Sequence, residues 1–216
     1  MRPLIIVVEG DTEEEFVKDL IMPYLQECEI YDVRPIKIST KAGFKGGFVN
    51  YDHLKRDVTN FLKQRNTQVV TTFVDYFRLP NSIPKYTKCQ QIHSIDIRIE
   101  CLENSMKEDF PDERFIPYIQ KHEFEAVLFS SNIGFERYFE EIAKETQKII
   151  DQYPNPEDIN DQPHTAPSKR LLSLNPSYNK VNDGNIIALE IGIETMLEKC
   201  PRFKNWIETI IEKVNS

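Results

Sequence analysis

The chain has 216 residues, 40% of them hydrophobic, enough for one sizeable domain that buries its own core without staples. Its formal net charge of −8 excludes a general electrostatic attraction to nucleic acid, so any contact with a phosphate backbone must be local or bridged by a cation. Cys28, Cys89, Cys101 and Cys200 show no paired spacing, the chain opens Met-Arg-Pro rather than on a secretory leader, and no apolar run approaches the ~20 residues of a membrane span. A soluble protein of the reducing cytoplasm, with no membrane partner, is the expectation.

The run Leu4-Ile5-Ile6-Val7-Val8 reads as a buried strand that ends on Glu9 and Gly10. Asp11 or Thr12 can cap a helix over about 13–24, where glutamates suit the positive N-terminal end and Phe16, Val17, Leu20 and Ile21 share one face. Pro23 calls for a kink or an end there. Residues 34–39 alternate like a strand, Gly43, Gly46 and Gly47 mark a flexible loop, and 51–65 reads as a helix with Leu54, Val58, Phe61 and Leu62 inward. Residues 69–74 form a continuous apolar, β-branched run of the kind covered on both faces, ending on Asp75, so a parallel crossover is implied. A loop with Pro80, Asn81, Ser82 and Pro84 follows, where ligands sit in open α/β sheets. A helix over 94–107 then leads to a third strand, 114–119, and on to Glu123 and Glu125. Ala126-Val127-Leu128-Phe129 is either a helix start or a short strand. One amphipathic helix is predicted over 135–153, a loop over 154–167, and short helices over 168–214. The expected division is an α/β core over 1–153 with a loop and helical C-terminal extension, 154–216, packed on it as a single compact domain.

Three apolar strands thus deliver carboxylates. If they lie in one sheet, Glu9, Asp75 and Glu123 or Glu125 converge, and the remedy for their repulsion is a hard divalent cation such as Mg²⁺ or Mn²⁺. Within Lys121-His122-Glu123-Phe124-Glu125 one glutamate can be an ordinary helix-start acid. His122 reads better as a hydrogen-bond partner than as a ligand, and with no second histidine at ligand spacing a zinc site is not expected. Glu13 and Glu14 either lend a further ligand or, the reading favoured here, face water at the helix start. Pro167-Ser168-Lys169-Arg170 is either a plain helix start or an anion site built from helix amides and two basic side chains. Lys37, Lys41 and Lys45 form a second basic cluster, read as solvated surface. No nucleophile elbow, Walker loop or nucleotide fingerprint is present in the sequence, which disfavours covalent catalysis and direct ATP binding.

The stretches Ile6-Val7-Val8-Glu9-Gly10-Asp11-Thr12-Glu13, Val74-Asp75-Tyr76-Phe77-Arg78-Leu79-Pro80, Arg114 through Glu125, and Ala166-Pro167-Ser168-Lys169-Arg170 resemble a bacterial family, the domain of unknown function numbered 4276, regarded as Toprim-like. The resemblance covers almost the whole chain. It implies an α/β fold with a mostly parallel sheet flanked by helices, in which a strand-end glutamate and an Asp-x-Asp pair coordinate Mg²⁺ for phosphoryl transfer on nucleic acid, as in topoisomerases, primases and overcoming-lysogenization-defect nucleases. Glu9 matches that glutamate and Asp75 the first aspartate. Phe77 stands where the second is expected, which leaves an oxygen for Glu123 or Glu125 to supply. The RloB-like defence proteins have a similar Phe-Glu element, matching Phe124-Glu125 and favouring Glu125. The family resemblance further implies an ATPase partner of the ABC or structural-maintenance-of-chromosomes type and a role in anti-phage or mobile-element defence.

Two functions follow. One is a nuclease with Mg²⁺ (or Mn²⁺) on Glu9, Asp75 and Glu125, with Glu123 or Glu9 as general acid or base, and with Ser168, Lys169 and Arg170 holding the substrate phosphate. The other is a non-catalytic Toprim relic that docks on the ATPase, which Phe77 favours.

Overall fold

In a computed structural model, residues 3–39, 47–159, 162 and 164–216 are described. The β-branched runs become strands β1 (Leu4–Val8), β2 (Val33–Lys37) and β3 (Val69–Asp75), with two short strands, β4 (Phe115–Ile116) and β5 (Ile119–Gln120), along the far edge of β3. The order is β2-β1-β3-β4, with β5 also on β3, and all pairings are parallel. Leu4 stands beside Val33 on one side and Val69 on the other, so β1 and β3 start level, and β3 runs past the Val8–Phe73 pair to Asp75.

Parallel strands need crossovers, and helices supply them. Between β1 and β2 run α1 (Asp11–Phe16), a π segment (Val17–Ile21) and α2 (Met22–Glu27). Pro23 therefore neither ends nor breaks the helix: the wider π turn just before it relieves the clash between the proline ring and a preceding carbonyl. Helix α3 (Tyr51–Leu62) leads to β3, and α4 (Tyr86–Gln90) with α5 (Ile95–Asp109) leads to β4. The loop expected beyond Asp75 thus contains a short helix.

The third predicted strand is split because Pro117 has no N–H to give the ladder. Its neighbour is held instead by a side chain: Thr72 Oγ1 accepts from the Tyr118 N–H and donates to the Tyr118 carbonyl, both at 2.8 Å.

The open question at residues 126–129 resolves as a 3-10 helix, Phe124–Ser130, every residue of which is buried. The single helix predicted over 135–153 is three pieces: α6 (Ile133–Tyr138), a 3-10 turn (Glu140–Ile142) and α7 (Ala143–Gln152). Phe139 breaks it with φ −134° and ψ 62°, outside the helical region. The predicted loop over 154–167 holds one 3-10 turn, Pro156–Asp158, followed by α8 (Pro167–Leu174), α9 (Asn182–Ile191), α10 (Ile193–Lys199) and α11 (Pro201–Asn215).

Alternation along β1 sorts the core into two. Leu4, Ile6 and Val8 face one apolar cluster, which includes α1, the 3-10 helix and Phe203, Trp206, Ile207 and Ile210 of α11; Ile5 and Val7 face the other, with Leu54 and Val58 of α3 and Ile99, Leu102 and Met106 of α5. Trp206 stacks on Tyr118 with ring centroids 4.4 Å apart and donates from Nε1 to Thr71 Oγ1 at 2.8 Å. The C-terminal helices are therefore part of the layer that covers one face of the sheet. Among the described residues, no helix is long and apolar enough to cross a membrane.

One cysteine expectation is overturned. Cys89 of α4 and Cys101 of α5 are joined by a disulfide, because the two helices pack together and bring Cα atoms 12 residues apart to 5.7 Å. Gly43, Gly46, Lys41 and Lys45 lie outside the described residues.

Candidate functional site

Parallel β1 and β3 point their carboxyl ends to the same edge of the sheet, β1 ending opposite Phe73, so Glu9 and Asp75 become neighbours although 66 residues separate them. Glu9 Oε2 accepts the Asp75 N–H and its Oε1 accepts the Phe48 N–H, each at 3.3 Å. Asp75 Oδ1 accepts the Phe124 N–H at 2.9 Å, which turns Oδ2 the other way. Oδ2 meets the ammonium of Lys180, 3.1 Å distant. The same Nζ lies 3.2 Å from Glu13 Oε1 and 3.4 Å from Glu125 Oε2. Carboxylates from α1, the β3 end and the 3-10 helix thus surround one cation from the turn between α8 and α9, and Glu9 at the β1 end joins them through the Asp75 N–H.

Asp75, Glu13 and Glu125 are buried and Glu9 is partly so. Burial, then the charge of Glu13, raises Glu9 above the ordinary carboxylate range. Burial also pushes Asp75 well up, Lys180 opposing and Glu13, Glu9 and Glu125 adding to it. Glu125 is lifted to about 6, chiefly by burial. Burial alone would lower Lys180, yet Asp75, Glu125 and Glu13 hold it well above the ordinary lysine value, so it stays charged. Glu125 Oε2 makes no hydrogen bond to the described chain, and Lys180 is its only charged neighbour within ion-pair reach there.

The set of hard oxygens, among them the buried Glu125 Oε2 that accepts no hydrogen bond from the described chain, fits a divalent ion. As the side chains stand, no group of three ligating residues among the described ones is arranged around an ion site, because the oxygens converge on an ammonium instead. Metal dependence is therefore a property the chain's donor chemistry permits.

The other predicted residues lie elsewhere. Glu123 does not share the cluster: its two oxygens accept the Ser168 N–H at 3.0 Å and the Ser168 hydroxyl at 2.9 Å. The anion at the start of α8 is thus the chain's own carboxylate. Arg170 donates to the Thr165 carbonyl at 2.7 Å and its guanidinium lies 5.3 Å from the Tyr153 ring centroid; Lys169 is exposed. His122 takes a left-handed backbone, φ 64°, and its carbonyl accepts the Phe77 N–H at 2.8 Å. Phe77 is half-buried and stacked under Arg78, so nothing there replaces a second aspartate.

Two residues of the cluster are not the ones the sequence favours. Of the two alternatives for Glu13, a further ligand or an acid facing water, the second is favoured by sequence, yet the residue is only 4% exposed. Lys180, in Asn175-Pro176-Ser177-Tyr178-Asn179-Lys180, carries no signature, and only the packing of α9 on α1 and on the 3-10 helix brings it to residue 75.

Comparison with solved structures finds the C-terminal region of the OLD protein of Xanthomonas campestris pv. campestris twice. The platinum-phased structure is 17% identical with TM-score 0.47, covering 99% of this chain and 92% of that one. The iodine-phased structure is 17% identical with TM-score 0.42, covering 98% and 93%. No curated protein matches the chain. The profile of the family described as Domain of unknown function (DUF4276) matches residues 8–211, nearly the full length, and the chain belongs to that family.

Proposed function

We propose that the chain is a divalent-metal-dependent phosphodiester hydrolase acting on nucleic acid, built on a Toprim-like plan. The observation that carries this reading is the gathering of Glu13, Asp75 and Glu125 around a single cation at the carboxyl edge of the sheet, with Glu9 held beside them on the Asp75 N–H. Mg²⁺ or Mn²⁺ bound by Glu9, Asp75 and Glu125 would supply charge neutralisation for an in-line displacement at phosphorus. Glu13 supplies the further oxygen that Phe77 does not. Asp75 is oriented for this by the Phe124 N–H, and Glu9 by two backbone N–H groups. Glu9, the one partly exposed member, exchanges a proton with solvent water. Glu123, whose oxygens are taken by Ser168, positions the segment that carries Glu125. Lys169, exposed beside this helix start, contacts the substrate backbone, with Arg170 and Ser168 fixing the turn that presents it.

The test is cleavage of single- and double-stranded DNA and RNA with Mg²⁺ or Mn²⁺. Activity should vanish in EDTA, and Glu9→Gln and Asp75→Asn should each lower kcat by about a hundredfold or more. Cleavage that survives both substitutions contradicts the assignment.

The rival is a non-catalytic relic serving as an interaction subunit, favoured by Phe77 and by an acid cluster that already has an internal counter-charge. Such a protein binds no Mn²⁺ in an Asp75-dependent way, which calorimetry decides. From the family resemblance we also propose a cytoplasmic setting, an ATPase partner of the ABC or structural-maintenance-of-chromosomes type, and a role in defence against phage or mobile elements. The Cys89–Cys101 bond is the feature that weighs against a uniformly reducing compartment.

A further inference from the structure

We infer that the Lys180 ammonium is a built-in cation occupying the position a divalent ion would take, and that ion binding drives this side chain out of the pocket. The inference deepens the proposed metal reading and rests on it. Three carboxylate oxygens from α1, β3 and the 3-10 helix lie 3.1–3.4 Å from Nζ. A magnesium ion binds oxygens at ~2.1 Å, so the same three oxygens cannot close on an ion while an ammonium stands between them. The two cations compete for one set of ligands.

The side chain is built to leave. Its carboxylate partners Glu13, Asp75 and Glu125 are 5%, 9% and 1% exposed at the side chain, whereas Lys180 is 34% exposed, so its stem reaches in from the surface. Its backbone is anchored independently of the pocket: the Asn179 N–H donates to Asp183 Oδ2 at 2.7 Å, and the Asn182 N–H to Asn179 Oδ1 at 3.1 Å. Withdrawal therefore needs only rotation about the four-carbon stem, with no refolding of the turn. A flexible point charge suits this exchange, where a rigid guanidinium fork would not. In the metal-free chain Lys180 is the counter-charge of these three buried carboxylates.

The experiment is pulse acylation of the intact protein with an amine-reactive reagent, read residue by residue by mass spectrometry, in EDTA and in saturating Mn²⁺. Lys180 modification should rise by about tenfold or more with Mn²⁺ while exposed Lys169 stays constant, the ordinary scale of coupling between two competing ligands. In parallel, calorimetry should give Lys180→Met an Mn²⁺ Kd lower than wild type by about tenfold or more. Should that variant fail to fold in EDTA, the wild-type labelling decides alone. Unchanged or reduced Lys180 labelling, with Mn²⁺ binding that Asp75→Asn abolishes, overturns the exchange and leaves the metal reading standing. Absence of Mn²⁺ binding in wild type and Lys180→Met overturns both.

Discussion

At neutral pH Glu125 is a carboxylate in surroundings that resist its charge. It is 1% exposed, and burial raises it from the ordinary 4.5 to about 6. Between those values the folded chain holds a proton that the unfolded chain has released, so this group's contribution to stability falls as pH rises through 4.5 to about 6 and is level above. Replacing the group by a neutral one removes that loss. In EDTA, the stability of Glu125→Gln relative to wild type should therefore rise by about 2 kcal/mol between pH 4.5 and pH 7, measured by urea denaturation. A flat or falling difference contradicts the account. Strand-end position was enough to single out Glu9 and Asp75 from sequence, because an acid that closes an apolar run has few places to go. The pattern after the third strand narrowed the next acid to Glu123 or Glu125, and the family resemblance favoured Glu125. Lys180 could not be found, since nothing within its own segment records that residue 180 will face residue 75.

Helix α6 meets α9 at a glycine. A Cβ built on Gly134 would stand 2.6 Å from the Ile187 carbonyl and 2.8 Å from Ile187 Cγ2, and the first of these is backbone that cannot swing aside. Gly134→Ala should cost about 1–3 kcal/mol by chemical denaturation, since overpacking forces the helices apart. A neutral effect would mean that the helices are less closely seated. On the sheet, Thr72→Val removes both bonds to Tyr118 and leaves a buried N–H and carbonyl without that partner. A loss of about 1–3 kcal/mol is expected. Elements whose pattern is purely local, such as β1, β3, α3 and α5, were readable within a few residues. The helix broken at Phe139 was not, because its apolar spacing continues across a break that tertiary packing imposes. Nor was the Cys89–Cys101 pairing, which depends on how α4 folds against α5. The division of the third strand follows from Pro117, a signal present in the sequence itself.

Across the molecule, the N-terminal half and the C-terminal helices share one apolar cluster, with Phe73 of β3 stacked on Trp206 of α11 at 5.3 Å. The buried Glu157, fully enclosed, receives the Arg202 N–H at 2.8 Å and the Phe203 N–H at 3.0 Å, fixing the start of α11. A fragment ending at residue 153 would expose this cluster and lose Lys180 from the site. It should show no cooperative melting, whereas the full chain should unfold in one transition; a fragment that melts cooperatively would separate the C-terminal helices from the core. A parallel crossover was legible in the continuous apolar run of residues 69–74 that follows a helical pattern, but the order of the strands was not, and which helices cover which acids is a property of the assembled chain. The central claim is that distant carboxylates form one ion site at the carboxyl edge of the sheet. Anomalous diffraction from a crystal of the protein grown with Mn²⁺ tests it most directly. The account predicts a manganese peak coordinated by Glu9, Asp75 and Glu125, with the Lys180 ammonium displaced. A crystal with no peak there, and Lys180 still seated among the acids at saturating Mn²⁺, would contradict it.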